Sequence, residues 1–241
     1  MDLELRGKRA VITGGSVGIG LAVAHALASE GVDVAIVARD GARAEREAGE
    51  IAASHRVKAL AIAADVSKAG DVERSCARVA AAFDGVDILI NNAGAHPPND
   101  GSGLAVSNEA MSAAFSINCL GALQVTQGLV GVLAKSPAAR IINVSTILAL
   151  PSWLDQMAGS YFAYRISKTA LNAVTVGLAA ELKDQHISVN AIHPGWLQTA
   201  MGGPNAPDPV EVGASAVLNL ALDVPSTVSG RMFAKNELIG W

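Results

Sequence analysis

Six short apolar runs, rich in β-branched residues, recur along this chain: residues 9–13, 32–38, 57–63, 86–90, 140–144 and 187–192. Segments of helical length lie between them. In 18–31, Ile19, Val23 and Leu27 fall at i, i+4 and i+8, and Gly31 is placed to stop the helix. Residues 42–53 and 71–83 are Ala-rich with interspersed charge, and a further helix-like run covers 164–184. Repeated strand–helix alternation requires parallel strands joined by right-handed crossovers. The runs are apolar throughout rather than alternating, as a sheet covered on both faces demands. The expected fold is α/β: a doubly wound parallel β-sheet flanked by helices on both faces.

Length and charge narrow what such a fold can be for. At 241 residues the chain suits one domain, 1–241, burying roughly 70–75% of its unfolded surface. No repeat, linker or charge run marks a boundary. The Pro/Gly-rich patches at 95–103 and 202–209 follow strands, on the side where open α/β sheets bind ligands. Lys plus Arg number 18 against 22 Asp plus Glu, a net charge of −4, so no basic field is present to attract nucleic acid. The cluster Arg6, Lys8 and Arg9 reads as a solvated edge. Asp2, Glu4, Arg6 and Lys8 exclude a secretory apolar region at the start. Uninterrupted apolar stretches are too short to cross a bilayer. Cys76 and Cys119 read as buried free thiols, which points to a reducing, cytoplasmic location. His193 has no second ligand at metal-binding spacing, so no metal site is expected.

Between the first strand and first helix lies Thr13-Gly14-Gly15-Ser16-Val17-Gly18-Ile19-Gly20. Glycines let such a turn pass under a pyrophosphate, and the helix start supplies free N–H groups and a positive dipole end. Ala38 ends the second strand where an acidic residue would bind an adenosine ribose hydroxyl. Arg39, next to it, either pairs with a 2′-phosphate or is an exposed turn arginine, and Asp40 either repels that phosphate or points away. Asp65 with Val66 follows the third strand, either accepting from an adenine amino group or capping a helix, with Ser67 competing for the cap. Asn91-Asn92-Ala93-Gly94 ends the fourth strand; its small residues admit a flat ring, and its amides can tie strand ends together.

The chemistry concentrates further on. Ser145 ends the fifth strand, and Tyr164 and Lys168 sit at i and i+4, on one face of a helix. A free tyrosine has a pKa of about 10. A nearby ammonium favours the phenolate and brings it towards working pH, which suits acid–base catalysis. Tyr161 is followed at i+4 by Arg165, a poorer partner, and reads as a pocket wall. Asn118 lies in the long helix-like segment between the fourth and fifth strands. It either holds a water that links the lysine to solvent or satisfies a backbone kink. Ser145 lies in Asn143-Val144-Ser145-Thr146-Ile147 and not in a Gly-x-Ser-x-Gly elbow, which disfavours hydrolysis by it.

Taken together these motifs resemble the short-chain dehydrogenase/reductase family, over essentially the whole chain and in the expected order. The resemblance implies a Rossmann-type sheet. It assigns a cofactor half of about 1–145 and a catalytic and substrate half of about 146–241. It implies a catalytic tetrad of Asn118, Ser145, Tyr164 and Lys168, with Asn118 positioning a water. It assigns NADPH or NADP+ to Gly14, Ser16, Val17, Gly18, Ile19, Gly20, Arg39, Asp65, Val66, Asn91, Ala93, Gly94, Tyr164 and Lys168. Pro194, Gly195, Leu197 and Thr199 would hold the nicotinamide end. The second half is similar to a carbonyl-reductase-like branch related to C-factor signalling proteins, through Tyr164–Asn172, His193–Trp196, Met201–Pro204 and Trp241.

The implied activity is an NADPH-preferring interconversion of ketone or aldehyde with alcohol by a homodimer or homotetramer. An NAD-preferring dehydrogenase, a dinucleotide-binding regulatory protein, and dehydration or epimerisation with tightly held cofactor are the alternatives. Nineteen positions separate Ser145 from Tyr164, more than is usual, and the extra residues around 151–159 are expected to form a lip over the substrate. The pocket walls are expected to be His96, Leu148, Trp153, Tyr161 and Trp196, which favours a hydrophobic or aromatic carbonyl compound. The segment after Thr199 is short, and a reduced helical lid is expected there.

Overall fold

The computed structural model describes residues 5–156 and 159–241. Asp2 and Glu4, and Met157 and Ala158 of the expected lip, lie outside them. The apolar runs form strands because their residues divide between two cores. In β1 (Arg9–Thr13), Ala10 and Ile12 join one cluster and Val11 the other; in β2 (Asp33–Ala38), Val34 and Ile36 oppose Ala35 and Val37. β3 (Ala59–Ala63), β4 (Ile88–Asn91), β5 (Arg140–Val144) and β6 (Ser188–His193) follow the order expected. Each fully buried isoleucine among them contributes about 1.5–3 kcal/mol of apolar burial.

Helices cover both faces. α1 (Gly18–Ser29), α2 (Gly41–His55) and α8 (Val210–Leu222) bury Val23, Leu27, Ile51, Val217 and Leu220 on one. α3 (Ala69–Ala82), α5 (Ala122–Leu133) and the end of α7 (Phe162–Glu181) bury Val72, Val79, Leu129, Leu133 and Ala179 on the other. The strand order is β3-β2-β1-β4-β5-β6, continued by two further strands, β7 (Met232–Ala234) and β8 (Glu237–Ile239). These two are a correction to the six-strand expectation. Three residues each is too short for a readable period, and β8 pairs antiparallel, so the sheet is mostly parallel. The order reverses between β1 and β4, which opens a crevice at their carboxyl ends.

α4 (Asn108–Phe115), a π-helical stretch (Ser116–Gly121) and α5 form one continuous run. By length and composition Asn108–Leu133, at mean hydropathy 1.3, could cross a membrane. Polar residues such as Asn118 and Thr126 interrupt its sequence but not its helix. Within this fold it packs against α3 and α7, and both of those side chains make buried hydrogen bonds. In the 145–164 segment a 3-10 turn (Ile147–Ala149) leads into the one-turn helix α6 (Pro151–Leu154). The Pro/Gly-rich segment 202–209 holds turns and no helix, as expected of a reduced lid.

Candidate active site

The glycine turn is shaped for something to lie against it. Gly14 and Gly18 adopt φ of +66° and +53°. A Cβ at Gly20 would come within 2.4 Å of the Gly14 carbonyl oxygen. α1 starts at Gly18 without a side-chain cap and with no acidic residue in its first turn, and Ile19 and Gly20 follow. Its first N–H groups are therefore available to an anion. Ser16 is buried and Val17 exposed at the rim. A dinucleotide pyrophosphate fits this donor set and this cradle.

β4 is stitched to the turn. The Asn92 amide donates to the carbonyls of Thr13 and Gly14, at 3.0 and 3.2 Å. Thr13 Oγ1 accepts from the N–H groups of Asn92 and Ala93. Asn91 turns the other way: its Nδ2 donates to Thr126 Oγ1 and Asn143 Oδ1 inside the protein. The structure therefore does not bring the Asn91 amide to the turn, where Asn92 acts instead.

At the adenosine corner Arg39 is exposed beyond the buried Ala38. Asp40 caps α2, accepting from the Arg43 N–H at 3.0 Å, and pairs with the Arg43 guanidinium. Its carboxylate is thus engaged by the helix start. Asp65 caps no helix; it accepts from the Ser67 N–H and hydroxyl. Burial works to raise its pKa, but those bonds and the charges of Arg39 and Lys68 hold it below the usual carboxylate range. Val66 packs its carbonyl against the π-helical stretch, where a Cβ at Gly121 would meet it at 2.9 Å. At the other end Gly195, after Pro194, takes φ +113°. Leu197 is buried, and Thr199 reaches the start of α1, 3.5 Å from a Cβ placed on Gly18. Thr199 Oγ1 accepts from the Gly202 N–H.

α7 carries Tyr164, Lys168 and Asn172 on one face at i, i+4 and i+8. Lys168 is buried and donates from Nζ to the Val144 carbonyl at 2.7 Å. Ser145 donates from Oγ to Asn172 Oδ1 at 2.6 Å. Asn172 is a site residue that the sequence reading missed, although the same four-residue spacing carries it. A Cβ at Gly94 would lie 3.3 Å from Asn118 Oδ1 and 3.4 Å from Lys168 Nζ, so a side chain there would crowd both groups. Asn118 sits on the π-helical kink. Its Oδ1 accepts from the Ala95 N–H, and its two N–H donors are taken by the Ala95 carbonyl and Ser167 Oγ.

Burial, rather than a neighbouring charge, dominates both reactive groups. It pushes the Tyr164 phenol up to about 12 and the Lys168 ammonium down to about 8. In the protein alone, desolvation favours the neutral form of each. Burial, with Lys235 nearby, likewise lowers His193 to about 4.

Of the expected walls, His96 and Tyr161 meet at the phenol. The imidazole stacks on Tyr164 at 4.5 Å and meets Tyr161 edge-on at 4.4 Å. Leu148 and Trp153 are joined through Arg165. Its buried guanidinium donates to the carbonyls of Leu148, Trp153, Leu154 and Ser160 and so holds the insertion against α7. Trp196 is exposed, with its indole N–H bonded to the Gly202 carbonyl. Opposite the insertion, the loop that carries His96 joins α7 through Asp100. Its carboxylate accepts from the N–H groups of Ala163 and Tyr164 at 2.7 and 2.9 Å.

A family model described as short chain dehydrogenase matches residues 8–209. The chain is 32% identical over 201 residues to 3-oxoacyl-[acyl-carrier-protein] reductase of Aquifex aeolicus, covering 83% of this chain and 78% of that protein. It is 34% identical over 153 residues to the C-signal of Myxococcus xanthus, covering 61% and 87%. Among solved structures, NADPH-bound carbonyl reductase from chicken fatty liver superposes with a TM-score of 0.87 at 26% identity, over 98% of this chain and 100% of that one.

Proposed function

The chain belongs to the short-chain dehydrogenase family, and from that premise we propose that it is an NADPH-preferring reductase interconverting a ketone or aldehyde with an alcohol. The observation that carries this reading is the single face of α7 on which Tyr164, Lys168 and the Ser145–Asn172 pair converge, beside the glycine cradle. Pure binding needs no phenol one helical turn from a buried lysine.

Bound NADPH supplies a hydride to the carbonyl carbon. Tyr164, protonated at any neutral pH, donates its proton to the carbonyl oxygen. Ser145, steadied by Asn172 until a substrate oxygen takes over its hydrogen bond, orients that oxygen. Lys168 binds ribose hydroxyls, and its ammonium opposes the charge left on the phenolate. A water on the remaining lone pair of Asn118 Oδ1 returns the proton.

Arg39 and Ala38 support the NADPH preference: a guanidinium can pair with a 2′-phosphate, and no acid stands ready for a 2′-hydroxyl. The engagement of Asp40 by the start of α2 and by Arg43 offsets part of the repulsion that would oppose it. The NADPH-bound carbonyl reductase that this chain resembles supports the same reading. The aromatic walls favour an apolar or aromatic carbonyl. One domain, with a cofactor half to about residue 145 and a substrate half beyond, and assembly as a homodimer or homotetramer complete the reading. So does a cytoplasmic location, supported by Cys76 and Cys119 as free buried thiols.

Initial rates of NADPH and NADH oxidation over aryl and alkyl ketones, with Tyr164→Phe beside wild type, test it. Turnover with NADPH that the variant loses while still binding NADPH is expected. Retained turnover in the variant overturns the role of Tyr164. NADPH binding without turnover on any carbonyl moves weight to a regulatory protein.

A further inference from the structure

We propose that Asp100 is a positioning residue that sets the place of Tyr164. A helix start leaves its first N–H groups without partners and is normally capped by its own sequence. The start of α7 is not: its N-cap, Tyr161, makes no side-chain cap bond and takes φ +53°. All the donors at that end go instead to a segment about sixty residues earlier. The Tyr161 N–H donates to the Asp100 carbonyl at 3.3 Å and the Phe162 N–H to the Gly101 carbonyl at 3.2 Å. The N–H groups of Ala163 and Tyr164 divide between the two oxygens of the Asp100 carboxylate. That carboxylate is 2% exposed.

Two consequences follow. The backbone of Tyr164 is bonded directly to Asp100, so the carboxylate sets where the phenol begins. The left-handed Tyr161, a conformation that a bulky residue adopts only when its surroundings impose it, is held by the same segment. That segment also carries His96, which stacks on the phenol and lies 3.9 Å from the Asp100 carboxylate. One side chain thus couples the loop that carries His96 to the start of α7. The kinetic consequence rests on the reductase reading; the capping itself does not.

The test compares Asp100→Ala and Asp100→Asn with wild type, with rates normalised to NADPH-binding sites. Displacement of a reacting group by about 1 Å costs on the order of 100-fold in rate. Asp100→Ala should therefore lower kcat by about 10- to 100-fold with the NADPH Kd unchanged. Asp100→Asn, which keeps one of the two acceptors and turns an amide donor towards the other N–H, should recover part of the loss. Should the alanine variant not fold, Asp100→Ser, which keeps a single acceptor, takes its place.

Hydrogen exchange across residues 160–168 is the second readout. It should quicken in the alanine variant while β3 is unchanged. An unaltered kcat in the alanine variant, or equal losses in both variants, overturns the proposal. A wild type without turnover on any carbonyl refutes the reductase reading alone, and unaltered exchange at 160–168 then overturns the cap independently.

Discussion

Replacing Lys168 with methionine should make the protein without cofactor more stable. Burial lowers the Lys168 pKa from 10.5 to about 8. A folded-state value below the unfolded one means that the unfolded chain binds the proton more readily between those two pH values. Stability therefore rises with pH across that window. Below pH 8 the folded protein carries the full penalty of a charged, desolvated lysine; above 10.5 it carries none. The gap of two and a half pH units corresponds to about 3 kcal/mol at about 1.36 kcal/mol per unit.

Methionine removes that penalty and keeps a similar apolar stem. It also deprives the Val144 carbonyl of its 2.7 Å partner, a loss of about 1 kcal/mol. The net gain at pH 7 is then about 2 kcal/mol. Denaturant unfolding of both proteins without dinucleotide, at pH 7 and pH 9.5, reads it directly. The methionine variant should be more stable at pH 7, and its advantage should shrink by more than half at pH 9.5. Tyr164 titrates near 10 in the unfolded chain and about 12 in the folded one, a contribution common to both proteins that cancels in their difference. Equal stability at pH 7, or an advantage that does not change with pH, refutes the argument that Lys168 is held against its solvation.

Two further substitutions probe the ends of the site. Arg39→Ala should weaken NADPH binding about tenfold or more, on the scale of a lost charge-assisted contact, and leave NADH binding nearly unchanged. Fluorescence titration with each dinucleotide checks this, and equal weakening of both shows that Arg39 does not meet the 2′-phosphate. Trp153→Ala should alter kcat/KM for bulky aryl ketones several-fold while leaving small alkyl ketones alone. An unchanged substrate profile removes the insertion from the substrate's surroundings.

Much of this protein was legible along the chain, because its signals are local. The runs 9–13 and 140–144 became β1 and β5 with their expected bounds, and the order of strands and helices followed the alternation. The glycine turn, the strand-end Ser145 and the Tyr164–Lys168 spacing lie within a few residues of the elements that place them. Sequence also pointed to a Pro/Gly-rich, helix-free segment after Thr199. β7 and β8 were beyond it, since three residues carry no period and a lone antiparallel edge strand has no local mark. The long helix-like segment between the fourth and fifth strands became the run Asn108–Leu133, but the π-helical stretch at Ser116–Gly121 carries no local mark.

What the sequence determined by itself is the layered alternation of strands and helices, the glycine turn between the first strand and helix, and the spacing that puts Tyr164 and Lys168 on one helix face. Short-range periodicity and spacing govern all of these. What only the tertiary structure decided is how those groups are held. The pairing of Ser145 with Asn172, the hold of Arg165 on the insertion, the cap on α7 from Asp100 and the turn of Asn91 away from the cofactor side each join distant segments. So does the desolvation that holds the Tyr164 phenol neutral in the protein without cofactor. Burial sets that balance, and burial belongs to the assembled fold: no run of neighbouring residues states which groups will lose their water.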